Sequence, residues 1–150
     1  MSNHEYVTNE FHEQLKRSQL SGNEVLVTIA GTIGRAGVNL SIEGRRLVAQ
    51  LKRGNINQAI AIIRLNNKML PLFLSAFLNS DGGQIQFSKF RHDFGTPNIN
   101  TTELADIRIP LPPKIIQKMI VSKIIDFEKQ ILKAKVKCKK NEKKKSEIIT

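Results

Sequence analysis

With 150 residues, 40% of them apolar, the chain can bury one small core plus an appendage, which excludes two independent cores. A formal charge of +11 favours a polyanionic partner, with nucleic acid ahead of an anionic membrane surface or an acidic protein. The single cysteine, Cys138, excludes an internal disulfide and a cysteine metal cluster and fits a reducing compartment. No apolar run reaches membrane-spanning length, and the N-terminus is polar and acidic rather than a signal peptide, so a cytoplasmic chain without a membrane partner is expected. No Trp, one Tyr and seven Phe make few stacking platforms for single strands, which leans the reading toward duplex recognition.

In chain order, Asn9 to Leu20 reads as a short amphipathic helix with Phe11, Leu15 and Leu20 inward, ended by Ser21-Gly22-Asn23. Val25 to Ala30 is a continuous apolar, β-branched run bounded by turn residues, the pattern of a strand buried on both faces. Gly31-Thr32-Ile33-Gly34 turns the chain, Arg35 to Ile42 returns as a second strand, and Glu43-Gly44 turns it again. Leu47 to Leu51 and Asn57 to Leu65 follow as strands around the basic turn Lys52-Arg53-Gly54-Asn55. Met69 to Asn79 has Leu70, Phe73, Leu74, Phe77 and Leu78 at helical spacing, with Pro71 in the first turn. Gly82-Gly83 reads as its break, a short helix or turn spans Gln84 to Phe90, and Arg91 to Pro97 reads as loop. Thr101 to Leu104 predicts a helical turn with a capping hydroxyl, and Ile107 to Ile109 a brief strand returning to the sheet. The expected class is α+β: a small mixed sheet with short helices, then one long C-terminal coiled-coil helix.

That last helix follows Pro112 and Pro113, whose fixed φ and missing amide donors suit a helix start. More than thirty residues then run without Gly or Pro. Apolar positions Ile120, Ile124, Phe127, Ile131, Ala134 and Cys138 alternate by threes and fours from Ile124 onward, as in a coiled-coil seam. So narrow a stripe on a lone helix leaves Phe127 and Ile131 in water, which points to pairing with another helix. The competing reading has the first half covering the globular core and the second half solvated. Residues 133–150 carry eight Lys against two Glu, which fits either a polyanion or a solvated end favoured by the helix dipole.

Gly31, Gly34 and Gly37 lack the spacing of a dinucleotide fingerprint or a P-loop. They make a tight turn whose amides, with Arg35 beside them, are able to approach a phosphate; a plain hairpin turn is the alternative. His4, His12 and His92 lack metal-ligand spacing and read as surface residues. Asp93, Glu103, Asp106 and His92 form no recognisable acid/base pair, and no nucleophile motif is present, so neither a catalytic role nor a cofactor is expected. The candidate DNA-binding residues are Thr32, Arg35, Arg45, Arg46, Lys52, Arg53, Asn57, Gln58, Lys89 and Arg91, in predicted turns and loops. Asn55, Gln84, Gln86 and Asn98 accompany them. Arg pairs with guanine and Asn or Gln with adenine, and all of these types hold phosphates.

Four blocks then occur in order: Asn23 to Gly34, Asn55 to Arg64, Gly95 to Asn100, and Ile107 to Pro113 with Gln117 after it. Together with the long helix they resemble the target recognition domain of the DNA specificity (S) subunit of type I restriction-modification enzymes, over about residues 5–145. The resemblance implies a recognition domain over 1–112, N-terminally truncated relative to the family, and a spacer or dimerisation helix over 113–147. It implies one half of a bipartite duplex site as ligand, a methyltransferase subunit and a restriction subunit as partners, and catalysis residing in those partners. An S subunit has two recognition domains and two spacer helices, so one of each implies a half-size subunit. Pairing of Ile120, Ile124, Phe127, Ile131, Ala134 and Cys138 with a second copy or a second spacer helix would rebuild the two-fold layout. The alternative is an interaction module that engages the methyltransferase through its helix without reading DNA. Asn23-Glu24 stands where the family pattern has Gly-Asp, a change at a turn.

Overall fold

A computed structural model describes residues 6–43, 46–49, 54–90 and 97–148. In chain order the elements are α1 (Asn9–Gln14), β1 (Val25–Thr28), β2 (Ala36–Val38), β3 (Leu40–Glu43), β4 (Arg46–Ala49), β5 (Ile60–Ile63), α2 (Pro71–Asn79), α3 (Asp81–Ser88), α4 (Thr101–Ala105) and α5 (Lys114–Ile148). The class is α+β, as expected. Every strand pair described is antiparallel, which corrects the expectation of a mixed sheet. None of the described helices is long and apolar enough to cross a membrane. The chain comprises two compact units, Met1–Leu111 and Pro112–Thr150.

In the first unit β1 is central, in the order β2-β1-β5. Its register pairs Val25 with Val38 and Ile63, and Val27 with Ala36 and Ala61, so these six share one face. Val25 and Val27 are fully buried there against Leu74 and Leu78 of α2, Phe87 of α3, Ile33, Ile99 and Ile107. The opposite face, with Leu26 and Thr28, is only half-buried. The expectation of a strand buried on both faces is corrected: period-two alternation was hidden because the half-exposed Leu26 is as apolar as its buried neighbours.

The predicted second strand is split. Asn39, itself buried, separates β2 from β3, and β3 pairs with β4 as a hairpin with Glu43 opposite Arg46. The hairpin leaves from the end of the sheet where Glu24 lies, because the Asn39 amide donates to the Glu24 carbonyl at 3.0 Å. Glu24 is a buried carboxylate. It accepts from the Ser21 amide (2.6 Å), the Ser21 hydroxyl (2.7 Å), the Gly22 amide (2.8 Å) and the Asn39 Nδ2 (3.1 Å). Burial alone would raise its pKa, but the hydrogen bonds from Ser21 and Asn39 prevail and hold it at about 2. Gly22 and Asn23 both have positive φ, 99° and 63°. Asn tolerates that conformation, and Glu reaches back across the turn, so the Asn23-Glu24 pair is accommodated there.

The N-terminal helix is shorter than its pattern. α1 ends at Gln14 and a 3₁₀ turn, Lys16–Ser18, follows. Phe11 is exposed and His12 is buried, the reverse of the expected facing. The His12 Nδ1–H donates to the Asn55 Oδ1, and Asn55 Nδ2 donates to the Leu15 carbonyl and to the Ser18 hydroxyl. A satisfied histidine replaced the phenylalanine inside because Asn55 supplies an acceptor that a periodicity count does not see.

Gly82-Gly83 does not break a helix but lies within one. Ser80 ends α2 and caps α3, its hydroxyl accepting from the Gly83 amide at 3.4 Å. A Cβ on Gly83 would stand 2.4 Å from the Phe77 carbonyl oxygen and 2.5 Å from that of Leu78, so a glycine is needed for α3 to fold back on α2. The cap of α4 is the Asn100 side chain, not a hydroxyl, in a reciprocal capping box with Glu103. Residues 107–109 form no strand. Instead the Gln86 side chain accepts from the Arg108 amide at 2.8 Å and donates to the Arg108 carbonyl at 3.0 Å, as a neighbouring strand would.

The second unit is α5, 35 residues and roughly 52 Å long at 1.5 Å per residue. Its first turn closes on the Pro113 carbonyl, which accepts from the Ile116 and Gln117 amides. The predicted seam is open to solvent: Ile120, Phe127, Ile131, Ala134 and Cys138 are exposed and Ile124 is half-buried.

Two outcomes follow from this packing. Gly83→Ala should destabilise by about 1–3 kcal/mol in denaturant titration, through overpacking. Gly82→Ala, whose Cβ would meet nothing closer than 3.8 Å, should instead be neutral or stabilise by up to about 1 kcal/mol. Because the folded pKa of Glu24 is depressed, its stabilisation is complete above the unfolded value near ~4.3 and disappears as pH falls through 2. Glu24→Gln should remove on the order of 3 kcal/mol at neutral pH and flatten the acid limb of a stability-versus-pH profile between pH 5 and 2.

Candidate nucleic-acid interface

Three segments converge where β1 ends and β2 and β5 begin. Main-chain bonds join them: the Ile29 amide to the Ala59 carbonyl (2.8 Å), the Gly31 amide to the Pro97 carbonyl (2.9 Å), and the Ile99 amide to the Ile29 carbonyl (2.9 Å). The β1–β2 loop closes on itself through Thr28 N–H to the Arg35 carbonyl and Gly34 N–H to the Thr28 carbonyl, both 2.9 Å. Thr28 adds its hydroxyl, which accepts from the Arg35 amide at 3.0 Å and donates to the Thr32 carbonyl. Ile33 plugs the loop into the core. Gly34, at φ 84°, lies against the Phe87 ring, whose Cγ would be 2.6 Å from a Cβ. The loop is therefore a braced projection whose remaining side chains, Thr32 and Arg35, are exposed.

That bracing corrects one expectation. The amides of Gly31, Gly34 and Arg35 are engaged within the protein and so are not open to a phosphate; the loop also presents the Thr32 and Arg35 side chains. Beside them, the turn before β5 presents Asn57 and Gln58, both exposed. Asn57 Oδ1 accepts from the Ala59 amide at 3.1 Å, leaving its Nδ2 donors outward. Asn98, bridged to Ala30 by its backbone, is exposed at the same end. Thr32, Arg35, Asn57 and Gln58 are thus brought together, with Asn98 as a fifth member.

Lys89 caps the C-terminus of α3, two residues beyond the Phe87 ring that supports Gly34. With Gln86, Phe90, Asp106, Ile107 and Arg108 it lines an open cleft of about 440 Å³. Arg108 is exposed and belongs with the basic candidates; reading 107–109 as a sheet strand had hidden it. Arg46 pairs with Glu43 on the hairpin, whose base joins the opposite end of the sheet, so it is not assembled with Thr32 and Arg35. Arg45, Lys52, Arg53 and Arg91 lie outside the described residues.

Three of the accompanying amides serve the fold. Asn55 bonds His12, Leu15 and Ser18; Gln86 clasps Arg108; Gln84 Nε2 donates to the Gly34 and Leu78 carbonyls at 2.8 and 2.7 Å. No group of three or more His, Cys, Asp or Glu suited to a metal ion occurs among the described residues.

The chain matches the family model for the type I restriction modification DNA specificity domain over residues 1–140. Among curated proteins it is similar to the type I restriction enzyme EcoBI specificity subunit of Escherichia coli, with 30% identity over 119 residues. That alignment takes in 79% of this chain and 23% of the relative, so the chain spans about a quarter of the length of the curated protein it matches.

Proposed function

The chain belongs to the type I restriction-modification DNA specificity domain family, and from that premise we propose that it is a half-size specificity subunit reading double-stranded DNA for a methyltransferase. The observation that carries this reading is the braced sheet end, where Thr32, Arg35, Asn57 and Gln58 project from segments fixed by main-chain hydrogen bonds. Rigid placement matters because base readout depends on a few well-aimed side chains, each bidentate pair discriminating by about 1–3 kcal/mol. Arg35 has the planar fork for guanine O6 and N7 or for a phosphate. Gln58 makes no side-chain hydrogen bond to a described residue, so it keeps both donor and acceptor for an adenine edge. Asn57, with Oδ1 engaged, is suited to donate to an acceptor, and the Thr32 hydroxyl to a phosphate. Lys89 and Arg108 add positive charge along the cleft. In the same reading Arg45, Arg46, Lys52, Arg53 and Arg91 contribute further phosphate or base contacts.

The helix supplies assembly. In this proposal α5 pairs through Ile120, Ile124, Phe127, Ile131, Ala134 and Cys138 with a second copy or another spacer helix, and docks the methyltransferase and restriction subunits. Exposure of Phe127 at 62% and Ile131 at 53% supports it, because a solvated apolar stripe invites cover. The chain itself performs no chemistry in this scheme; methyl transfer and cleavage belong to the partners, and the complex works on chromosomal DNA in the cytoplasm.

Co-expression with the methyltransferase subunit of the same genome, followed by sequencing of methylated positions in exposed DNA, tests the proposal. A stable complex and a discrete interrupted motif are expected, palindromic if two copies pair. A stable complex without any motif would instead favour an interaction module that does not read DNA. The seam is tested separately by Phe127→Asp combined with Ile131→Asp, which should reduce a dimer to a monomer by light scattering; an unchanged mass would refute the seam.

A further inference from the structure

Beyond the braced sheet end, the distal half of α5 carries an ordered array of charge. Lys133, Lys137 and Lys140 follow one another at spacings of four and three residues, which places them on one helical face. Lys133, Lys137 and Lys140 are exposed. At 100° per residue that face lies roughly 130° around the helix from the seam through Phe127, Ile131 and Cys138. Pairing through the seam therefore leaves it open.

Neither of the ordinary explanations for surface lysine accounts for this array. Helix-dipole complementarity decays within the last turn, yet α5 continues to Ile148, so Lys140 is already more than two turns from the end. Intrahelical ion pairing requires an acid three or four residues away. The positions at that distance from Lys133, Lys137 and Lys140 are Lys129, Gln130, Ala134, Val136, Asn141, Lys143, Lys144 and these lysines themselves, with no Asp or Glu among them. Nor does an ion pair join the three to any residue whose side chain the structure describes. The spacing instead sets like charges beside one another, which opposes the helix unless an external anion neutralises them.

We propose that this face of α5 is a second, sequence-independent binding surface for the phosphate backbone of duplex DNA, acting alongside the recognition end. The inference rests on the DNA-binding reading of the first unit, from which α5 continues in the same chain. A row of cations favours a linear polyanion over a patchy acidic protein surface: Lys133 to Lys140 extends roughly 10 Å, against one phosphate per 3.4 Å along each DNA strand. The ammonium groups give charge without base-edge geometry, so the surface adds affinity and salt dependence without changing the sequence read.

The test uses the full chain and a duplex of random sequence, with dissociation constants measured from 50 to 300 mM salt and helix content checked by circular dichroism. Replacing Lys133, Lys137 and Lys140 together by Gln, a comparable helix former, should weaken binding at the lowest salt by about tenfold or more and lower the slope of log K against log salt by about 2–3. A control triple at Lys135, Lys139 and Lys143 removes equal charge from other faces and should leave most of the slope. Equal losses in both triples would mean diffuse charge and overturn the assignment to this face. An unchanged slope in the first triple, with the parent chain still binding duplex, would overturn the inference while leaving the recognition end intact. Failure of the parent chain to bind any duplex would overturn both. Equal binding of the parent, lost in the same triple, to phosphatidylserine vesicles would identify a membrane surface and overturn it as well.

Discussion

A three-stranded sheet of three- and four-residue strands leaves many backbone donors and acceptors without a strand partner, and a small core leaves little room for water to serve them. Side-chain carboxamides take that role throughout the first unit. Asn79 accepts from the Ala36 amide at 3.0 Å and donates to the Ala36 carbonyl at 2.7 Å, occupying the open edge of β2 from α2. Gln86 does the same for Arg108, Gln84 holds Gly34, and Asn55 holds the turn after α1. At the other end of the sheet the Glu24 carboxylate plays the equivalent part for Ser21 and Gly22. No buried side-chain polar atom among the described residues lacks a partner. Each of these groups would cost about 1–3 kcal/mol if left unpaired.

Division of labour follows along the same lines. The amides that look inward position helices and loops, whereas Thr32, Arg35, Asn57 and Gln58 look outward from the end where β1, β2 and β5 meet. Gly34 against Phe87 and Ile33 in the core tie the outward loop to α3 and to the hydrophobic cluster. The long helix is organised differently: the seam through Phe127, Ile131 and Cys138 marks one side, and Lys133, Lys137 and Lys140 lie on another.

Much of the architecture is legible in the sequence because the strongest signals are hydrophobic. The β-branched run from Val25, the helical spacing of Phe73, Leu74, Phe77 and Leu78, and the proline pair before α5 each name their element. What the pattern does not reveal is which polar group answers which. Gly82-Gly83 resembles a break until the Ser80 cap and the close approach of α3 to α2 explain it, and His12 resembles surface until Asn55 meets it. For the site, residue type could not separate Gln58, which makes no side-chain hydrogen bond to a described residue, from Gln84 and Gln86, whose donors are engaged within the fold. Arg108 escaped notice because its backbone partner is a side chain, which leaves no trace in periodicity.

The loop at the end of β1 is secured by main-chain atoms and by the side chains of Thr28, Ile33, Gln84 and Phe87, none of which faces outward with Thr32 and Arg35. Thr32, Arg35 and Gln58 make no side-chain hydrogen bond to a described residue, and Asn57 alone of the four outward residues holds the fold, at the Ala59 amide. Exchange of Thr32, Arg35 or Gln58 would therefore change the surface chemistry of this end of the sheet while leaving the main-chain bonds that brace it in place.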